Sequence, residues 1–506
     1  MAQLDRTRLH ALLAVCVVLT VAWVGLARWV VPPLLVAQRP GPAVAALQRY
    51  LQGYITPYTG SDLPGRWAEL SVAVGIAALL HLTILGILRR EDRRAEDGRT
   101  KADGRGGRGV RRAQSLLALV FLAVTVLTWP RHDYYYYLQM WYEVRQGHDP
   151  WWLVHGRFGD GPLNAYGPVF NLLAGLAWLN PLAPKLLFAD AYILFTIATI
   201  QRAAAGRRLS GLEALAILAL FWNPFPWVEI AIRGHFDILV GLLCLAAVHA
   251  RLRDRDLLAE VSLVLGVLLK YFPIVILPFL ALDRGRLRLR FLGVALAAIA
   301  LGLALSYHLW GLSVFRPLAF AVNRPSTTLS IFWFLRTRYS PLKGLGAPTN
   351  WDSWSPYLLF LGLFLAWSWS RARRPSLEAS TAVAALTTVL LYRVGFSQYQ
   401  MVPFVLASSW VLRNWGQLRG RALLGVALGG YVTWLATFEA GNFYYGDESG
   451  TPTWAMVEDF AGLVTFLLGC LLLAAMGRSS TPEDPLVVQR PADRHTPHQI
   501  QSMNHR

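Results

Sequence analysis

Four places in this sequence gather residue types that perform acid–base or phosphate chemistry. Asp133 stands in Arg131-His132-Asp133-Tyr134, just after an apolar run and just before Tyr135–Tyr137. A carboxylate at a membrane–water boundary, walled by aromatic rings, can have its proton affinity tuned for work as a base. The plainer alternative is a polar helix end with a tyrosine girdle. Asp237 follows Ile232-Arg233-Gly234-His235-Phe236 and heads another apolar run. A helix N-cap explains its position equally well, but Arg233 and His235 beside it favour a site. Lys270 lies inside an apolar stretch. There a lysine is costly unless paired or solvated, and it can hold a phosphate as a point charge or snorkel to an interface. Arg393, Gln398 and Tyr399 fall in Tyr392-Arg-Val-Gly-Phe-Ser-Gln-Tyr-Gln400, at a break between apolar runs. An arginine there suits phosphate and a glutamine suits a sugar hydroxyl; capping is the rival reading. Trp141, Tyr142, Trp151, Trp152 and Trp351 suit stacking on sugar faces or interfacial anchoring.

Several chemistries are excluded. No P-loop, glycine-rich nucleotide fingerprint or His/Cys metal spacing is present. Cys16, Cys244 and Cys470 all lie in apolar runs and form neither a disulfide framework nor a metal motif. The net charge of +18 does not mark nucleic-acid binding, because no soluble basic domain exists to perform it. It fits lysines and arginines gathered in cytoplasmic loops against anionic lipid.

These residues need positioning by membrane helices. The 506-residue chain is 55% hydrophobic and only 15% charged, and apolar runs long enough to cross a bilayer recur throughout. The expected fold is all-α, a polytopic transmembrane bundle of about 12–14 membrane helices. Positive loop charge places both termini in the cytoplasm. Residues 1–112 form two helices and a basic cytoplasmic loop, 113–415 a catalytic core, 416–477 the last helices and 478–506 a disordered tail. The run Leu257 to Leu282 has arginines on both sides, Arg255 before it and Arg284, Arg286, Arg288 and Arg290 after it. It therefore reads as a broken hairpin turning near Lys270 and Pro273. Such breaks are tolerated where they line a protein or water-filled cavity. Pro168 to Leu179 reads as an outer-face juxtamembrane helix. Asn223–Phe236, Gly311–Ser353 and Glu439–Thr453 read as outer loops. Asp133, Glu229, Asp237, His132 and His235 then all fall on the outer face.

The set resembles the GT-C superfamily of membrane glycosyltransferases, above all the polyprenol-phosphate-mannose-dependent α-mannosyltransferases. The matching pieces are Asp133-Tyr-Tyr-Tyr-Tyr137 with Gly147-His-Asp-Pro150, Tyr166-Gly-Pro168, Asn223-Pro224 with Arg233-Gly-His-Phe-Asp237, Leu269-Lys-Tyr-Phe-Pro273, and Ser397-Gln-Tyr399. They span roughly residues 115–415, and two additional helices precede them. The resemblance implies that Asp133 is the catalytic base or its close partner, with Asp237 as a second catalytic carboxylate. It implies that Lys270, and less directly Arg233 and Arg393, meet the donor phosphate. His132, His235, Tyr137, Tyr166, Gln398 and Tyr399 would contact sugar or acceptor. No metal or other cofactor is required, and a divalent ion at the two aspartates is left open.

The expected function is transfer of a sugar, mannose in the resemblance, from a polyprenyl-phosphate donor to a lipid or glycan acceptor. It would take place on the extracytoplasmic face of the plasma (inner) membrane, among membrane lipid and without nucleic acid. Two rivals come from other classes. A transporter or flippase of lipid-linked glycans would need charged groups near the bilayer midplane on several helices. A non-catalytic assembly subunit would tolerate alanine at both Asp133 and Asp237.

Overall fold

The computed structural model describes residues 106–128, 133–156, 159–162, 164–179, 181–204, 210–283, 285–339, 350–415, 421–445 and 452–479, with isolated positions near 45. The two helices expected before residue 90, His132 and the polar tail lie outside them. The first half of the described chain runs through α1 (Gly106–Leu127), α2 (Asp133–Arg145), α3 (Pro168–Leu172), α4 (Ala174–Leu179), α5 (Ala183–Ala204), α6 (Gly211–Phe221) and α7 (Pro224–Pro226). A π-helical segment, Trp227–Ile232, leads from there toward α8 (Asp237–Arg251) and α9 (Asp256–Leu269). The second half holds α10 (Leu277–Leu280), α11 (Leu289–Trp310), α12 (Arg316–Asn323), α13 (Ile331–Tyr339) and α14 (Asn350–Arg373). It closes with α15 (Leu377–Leu391), α16 (Met401–Asn414), α17 (Arg421–Tyr445) and α18 (Pro452–Ser479). Two short antiparallel hairpins, at Leu153–Pro162 and Leu282–Leu287, are the only sheets among the described residues.

This is an all-α, multi-pass membrane protein, as the apolar runs require. Five described helices are long and apolar enough to cross a bilayer: Ala183–Ala203, Gly211–Ile232, Leu289–Asn323, Ala422–Phe443 and Trp454–Ser479.

Length and burial sort the helices into two classes. The inner ones are short. α8 and α15 have 15 residues and α9 and α16 have 14, and they pack on one another as α8 with α9, α8 with α16, and α15 with α16. At 1.5 Å per residue these helices extend about 21–23 Å, short of a hydrocarbon core of about 30 Å. Every residue of α15 from Glu378 to Leu390 is buried. Two long helices are the most exposed. The Leu289–Asn323 helix is only 22% buried, and within α11 the buried residues are Phe291, Ala295, Ile299 and Ser306, a single stripe at near-helical spacing. α14 exposes Tyr357, Phe360, Leu361, Phe364 and Leu365 on one face. An apolar face of this kind is stable against lipid tails and costly in water.

The breaks in the inner helices position the site. α9 stops at Leu269, Lys270 is extended (φ −153°, ψ 117°), and a 3-10 turn at Phe272–Ile276 follows with Pro273 near its start. The two ends of this segment meet again. Asp256 at the head of α9 lies 3.1 Å from Arg251 and 3.4 Å from Arg288, and Arg251 Nε donates to the Leu280 carbonyl at 3.2 Å. The chain therefore folds back near Lys270, as the flanking arginines predict.

Elsewhere the expected loops are more ordered. Asn223–Phe236 continues the helix to Ile232 through a kink, at which Asn223 accepts from Phe225 N–H and Pro224 starts the next turn. Gly311–Ser353 contains α12, α13 and the start of α14, and the segment read as an outer loop from Glu439 carries α17 on to Tyr445. α1 begins at Gly106, within the stretch read as a basic loop. Apolar content alone marks only the parts of these helices that face lipid or core. Their polar ends stay helical because a helix pairs its own backbone groups whatever its side chains.

Candidate functional site

Asp133 opens α2, and the next residue anchors it. Tyr134 is fully buried, and its hydroxyl donates to the Pro181 carbonyl at 2.5 Å. Lys185, at the head of α5 and fully buried, donates to the Thr128 carbonyl at 3.1 Å and to Thr128 Oγ1 at 2.8 Å. Thr128 Oγ1 in turn reaches the Ala231 carbonyl of the π-helical segment at 3.1 Å. Thr128 and Tyr134 are thus tied to both neighbouring elements. Gly234 sits against the Tyr134 ring with φ +69°, and an added Cβ would come within 2.6 Å of that ring. Both the backbone and the space demand glycine here.

From this scaffold an acidic arm extends. His235 Nε2 lies 3.2 Å from Asp133 Oδ2. Its other ring nitrogen, Nδ1, lies 2.6 Å from Glu229 Oε2. The second oxygen of Glu229 accepts from Arg233 Nη1 at 2.8 Å and from Ser397 Oγ at 2.9 Å. Arg233 Nη1 also reaches Glu439 Oε2 of α17 at 2.6 Å. Every member of this chain is buried except Asp133, whose side chain is 40% exposed. Burial by itself would disfavour the charged imidazole, but the Glu229 and Asp133 carboxylates outweigh it and hold His235 at about 10. For Asp133, burial pulls upward, and the His235 contact outweighs it, leaving the carboxyl below 3.8. At neutral pH the arm pairs an imidazolium with two carboxylates.

A cationic arm lies two residues further on. Asp237 is the first residue of α8, yet Phe236 occupies the N-cap and no side-chain cap forms. Asp237 Oδ1 instead accepts from Lys270 Nζ at 2.5 Å, with side chains 2% and 10% exposed. The capping explanation for Asp237 therefore fails, and so does snorkelling for Lys270. Lys270 Nζ also sits 4.0 Å from the Tyr399 ring centroid, 5.4 Å from Phe236 and 5.6 Å from Tyr166. Aromatic faces attract a desolvated cation, so the rings add to the ion pair. Gly167 keeps this corner tight. Its N–H donates to the Leu269 carbonyl at 3.1 Å, and a Cβ would collide with the Leu268 carbonyl.

The remaining sequence candidates fall around these arms. Tyr137 and Tyr166 join hydroxyls at 3.1 Å, and the Tyr137 ring lies 6.5 Å from His235. Gln398 Nε2 reaches Asp133 Oδ2 at 3.4 Å. Two buried acceptors, Asp237 Oδ2 and Gln398 Oε1, have no hydrogen-bond partner among the described residues. Arg233 is taken up by the two glutamates. Arg393 is buried, and its guanidinium faces the Asp352 and Ala321 carbonyls at 3.5 Å. His132 is not among the described residues. No group of three His, Cys, Asp or Glu side chains among the described residues is arranged to hold a metal ion.

Sequence reasoning missed four members. Glu229 reads only as one acid among several outer ones, and Glu439 as the start of a loop. Its partner Arg233 lies 206 positions away, which no local pattern reveals. Lys185 reads as the edge of an apolar run. Arg324 lies 4.6 Å from the Phe396 ring and acts electrostatically on Lys270 and Tyr399. It is placed there because Thr327 and Leu329 donate to the Arg393 and Gly395 carbonyls at 3.2 and 3.0 Å.

Part of the chain is similar to a known family. Residues 164–394 match the model of glycosyltransferase family 87. That is a GT-C-type membrane glycosyltransferase family, and the match indicates a glycosyltransferase, with a sugar donor and an acceptor. It covers under half of the chain. It holds Tyr166, Glu229, Arg233, His235, Asp237, Lys270, Arg324 and Arg393, while Asp133, Tyr137, Ser397, Gln398, Tyr399 and Glu439 fall on either side of it. No curated protein matches the chain.

Proposed function

We propose that this chain is an inverting glycosyltransferase that moves a sugar from a polyprenyl-phosphate donor to a lipid or glycan acceptor on the extracytoplasmic face. Mannose is the sugar the family resemblance suggests. The observation that carries the reading is one half-exposed carboxylate, Asp133, standing against the buried imidazole of His235, two residues before Asp237 of a buried Lys270–Asp237 pair.

The chemistry follows from those groups. One oxygen of Asp133 faces His235 and Gln398, which leaves the other to accept the proton of an acceptor hydroxyl. That hydroxyl oxygen bonds to the anomeric carbon as the bond from this carbon to the phosphate oxygen breaks. The bonding pair leaves with the phosphate. Lys270 carries three donor hydrogens and Asp237 accepts one of them, so the ammonium retains donors for the developing phosphate charge. The unpartnered acceptors Asp237 Oδ2 and Gln398 Oε1 suit sugar hydroxyls, which are donors. The extracytoplasmic assignment rests on the excess of arginine in the opposite loops.

The test is transfer of labelled sugar from polyprenyl-phosphate-mannose in proteoliposomes. Wild-type protein is expected to form a labelled lipid or glycan product and Asp133→Ala to form almost none. Equal product from both would remove Asp133 from the mechanism. Movement of label across the bilayer without a new glycosidic bond would replace the transferase reading with the flippase one.

A further inference from the structure

Asp133 has the chemistry of a base; Tyr134 anchors its backbone, while its carboxylate meets His235 and Gln398 from other elements. Its immediate partner, His235, lies in a short loop opened by the positive-φ Gly234, a poor place to hold a ring still. The restraint comes from Glu229. This residue is 1% exposed, and both of its oxygens are used. One meets His235 Nδ1 at 2.6 Å, and the other takes Arg233 at 2.8 Å and Ser397 at 2.9 Å. It sits in a π-helical segment, and such wide turns recur at functional sites. Here the loop backbone folds onto that turn, with His235 N–H donating to the Glu229 carbonyl at 2.8 Å and Arg233 N–H to the Val228 carbonyl at 2.8 Å. Glu439 on α17 fixes the outer end through Arg233.

We propose that Glu229 is the positioning residue of this site: it holds His235 doubly protonated, with Nε2–H directed at Asp133, and so fixes which carboxylate oxygen of Asp133 meets the acceptor. The proposal rests on the transferase reading for its consequence, but the clamp itself is a property of the protein without substrate. The charged and titratable groups around His235 are Glu229 and Arg233 from the π-helical segment and its end, Asp133 and Tyr137 from α2, and the Asp237–Lys270 pair. Of these, Glu229 makes the shortest contact with the ring. A carboxylate on one imidazole nitrogen fixes the orientation of the ring. With a carboxylate at each nitrogen the ring carries a proton on both, so Nε2 donates to Asp133 Oδ2 and leaves Oδ1 to the acceptor.

The experiment has two readouts on the full-length protein in nanodiscs. The first is histidine-selective 13C/15N NMR across a pH series, with the His235 signal identified by its loss in His235→Gln. Wild-type His235 is expected to remain doubly protonated until about pH 10. In Glu229→Gln it is expected to titrate well below that, toward the ordinary histidine value of about 6.5. The second is the pH profile of sugar transfer. In Glu229→Gln its alkaline limb is expected to move down with the imidazole, and kcat to fall more than KM rises. A wild-type His235 that titrates near its ordinary value overturns the proposal even if Glu229→Gln does not fold. So does a folded Glu229→Gln protein whose His235 titration is unchanged. If wild-type protein transfers no sugar while the NMR behaves as expected, the clamp stands and the transferase reading falls.

Discussion

The acidic and cationic arms of the site meet where the chain turns into α8, with only Phe236 between His235 and Asp237, yet they are held by different means. The acidic arm is a relay of five ionisable side chains, Asp133, His235, Glu229, Arg233 and Glu439, drawn from α2, the turn before α8 and α17. Each interior member has a partner on both sides. The cationic arm is a single ion pair, Asp237–Lys270, enclosed by the Tyr399, Phe236 and Tyr166 rings. The contrast separates tuning from neutralisation. A relay can lose one link and keep its shape while its proton affinities move. A lone buried pair that loses one member leaves an uncompensated charge.

The largest effect expected is on activity at the exposed end of the relay. Asp133→Ala should lower kcat for sugar transfer by about 10²–10⁴-fold, the usual contribution of a general base. Its melting temperature should change little, because the side chain is 40% exposed. A large loss of stability with activity retained would assign Asp133 to scaffolding and end the comparison. Next comes the lone pair. Lys270→Met should destabilise the fold by about 3–5 kcal/mol, since Asp237 is left buried and charged. Lys270→Met combined with Asp237→Leu should recover most of that in thermal unfolding and remain inactive. Equal stability of the single and double variants would show that the pair is not isolated.

A smaller effect is expected from Gly234→Ala. It combines a positive φ with a contact to the Tyr134 ring, and chemical denaturation should register a loss of about 1 kcal/mol or more. No loss would mean that the turn does not hold the relay in place. The gentlest probe is pH. His235 is raised to about 10, so its contribution to stability is fully present below about 6.5 and is lost as pH rises through about 10. Asp133 is lowered from 3.8, so its contribution is present above that value and is lost as pH falls through its lower folded value. The difference in melting temperature between wild type and His235→Gln should therefore be flat from about pH 4 to 6.5 and shrink on the alkaline side. A difference that persists unchanged on the alkaline side would locate the titrating group elsewhere.

The site was partly legible because some residues are costly where they stand. Lys270 in an apolar run demands a partner, and the paired arginine clusters around Leu257–Leu282 demand a reversal; the structure supplies both. Asp237 was legible through its neighbours Arg233 and His235. Arg393 was equally conspicuous, yet its guanidinium faces backbone carbonyls beside α12 and α14 rather than Lys270. A sequence shows that a buried charge needs a partner, but it cannot choose between a carboxylate, a carbonyl and a ligand. Glu229 and Glu439 were missed for the converse reason. A glutamate near a helix end is ordinary, and neither Ser397 on Glu229 nor Arg233 on Glu439 is near it in sequence.

By itself, then, the sequence determined the class of solvent that surrounds this protein. Apolar runs and arginine placement answer to bilayer thickness and loop charge, which are local properties of the chain. It also determined that the chain must reverse near Lys270 and Pro273, because arginines flank the apolar run on both sides. The tertiary structure decided which charges face each other. That depends on α17 delivering Glu439 to Arg233, on the π-helical segment swinging Glu229 under His235, and on the reversal after α9 bringing Lys270 to Asp237. Ion pairing acts over a few ångströms, so partners far apart in sequence are set only once the helices have packed.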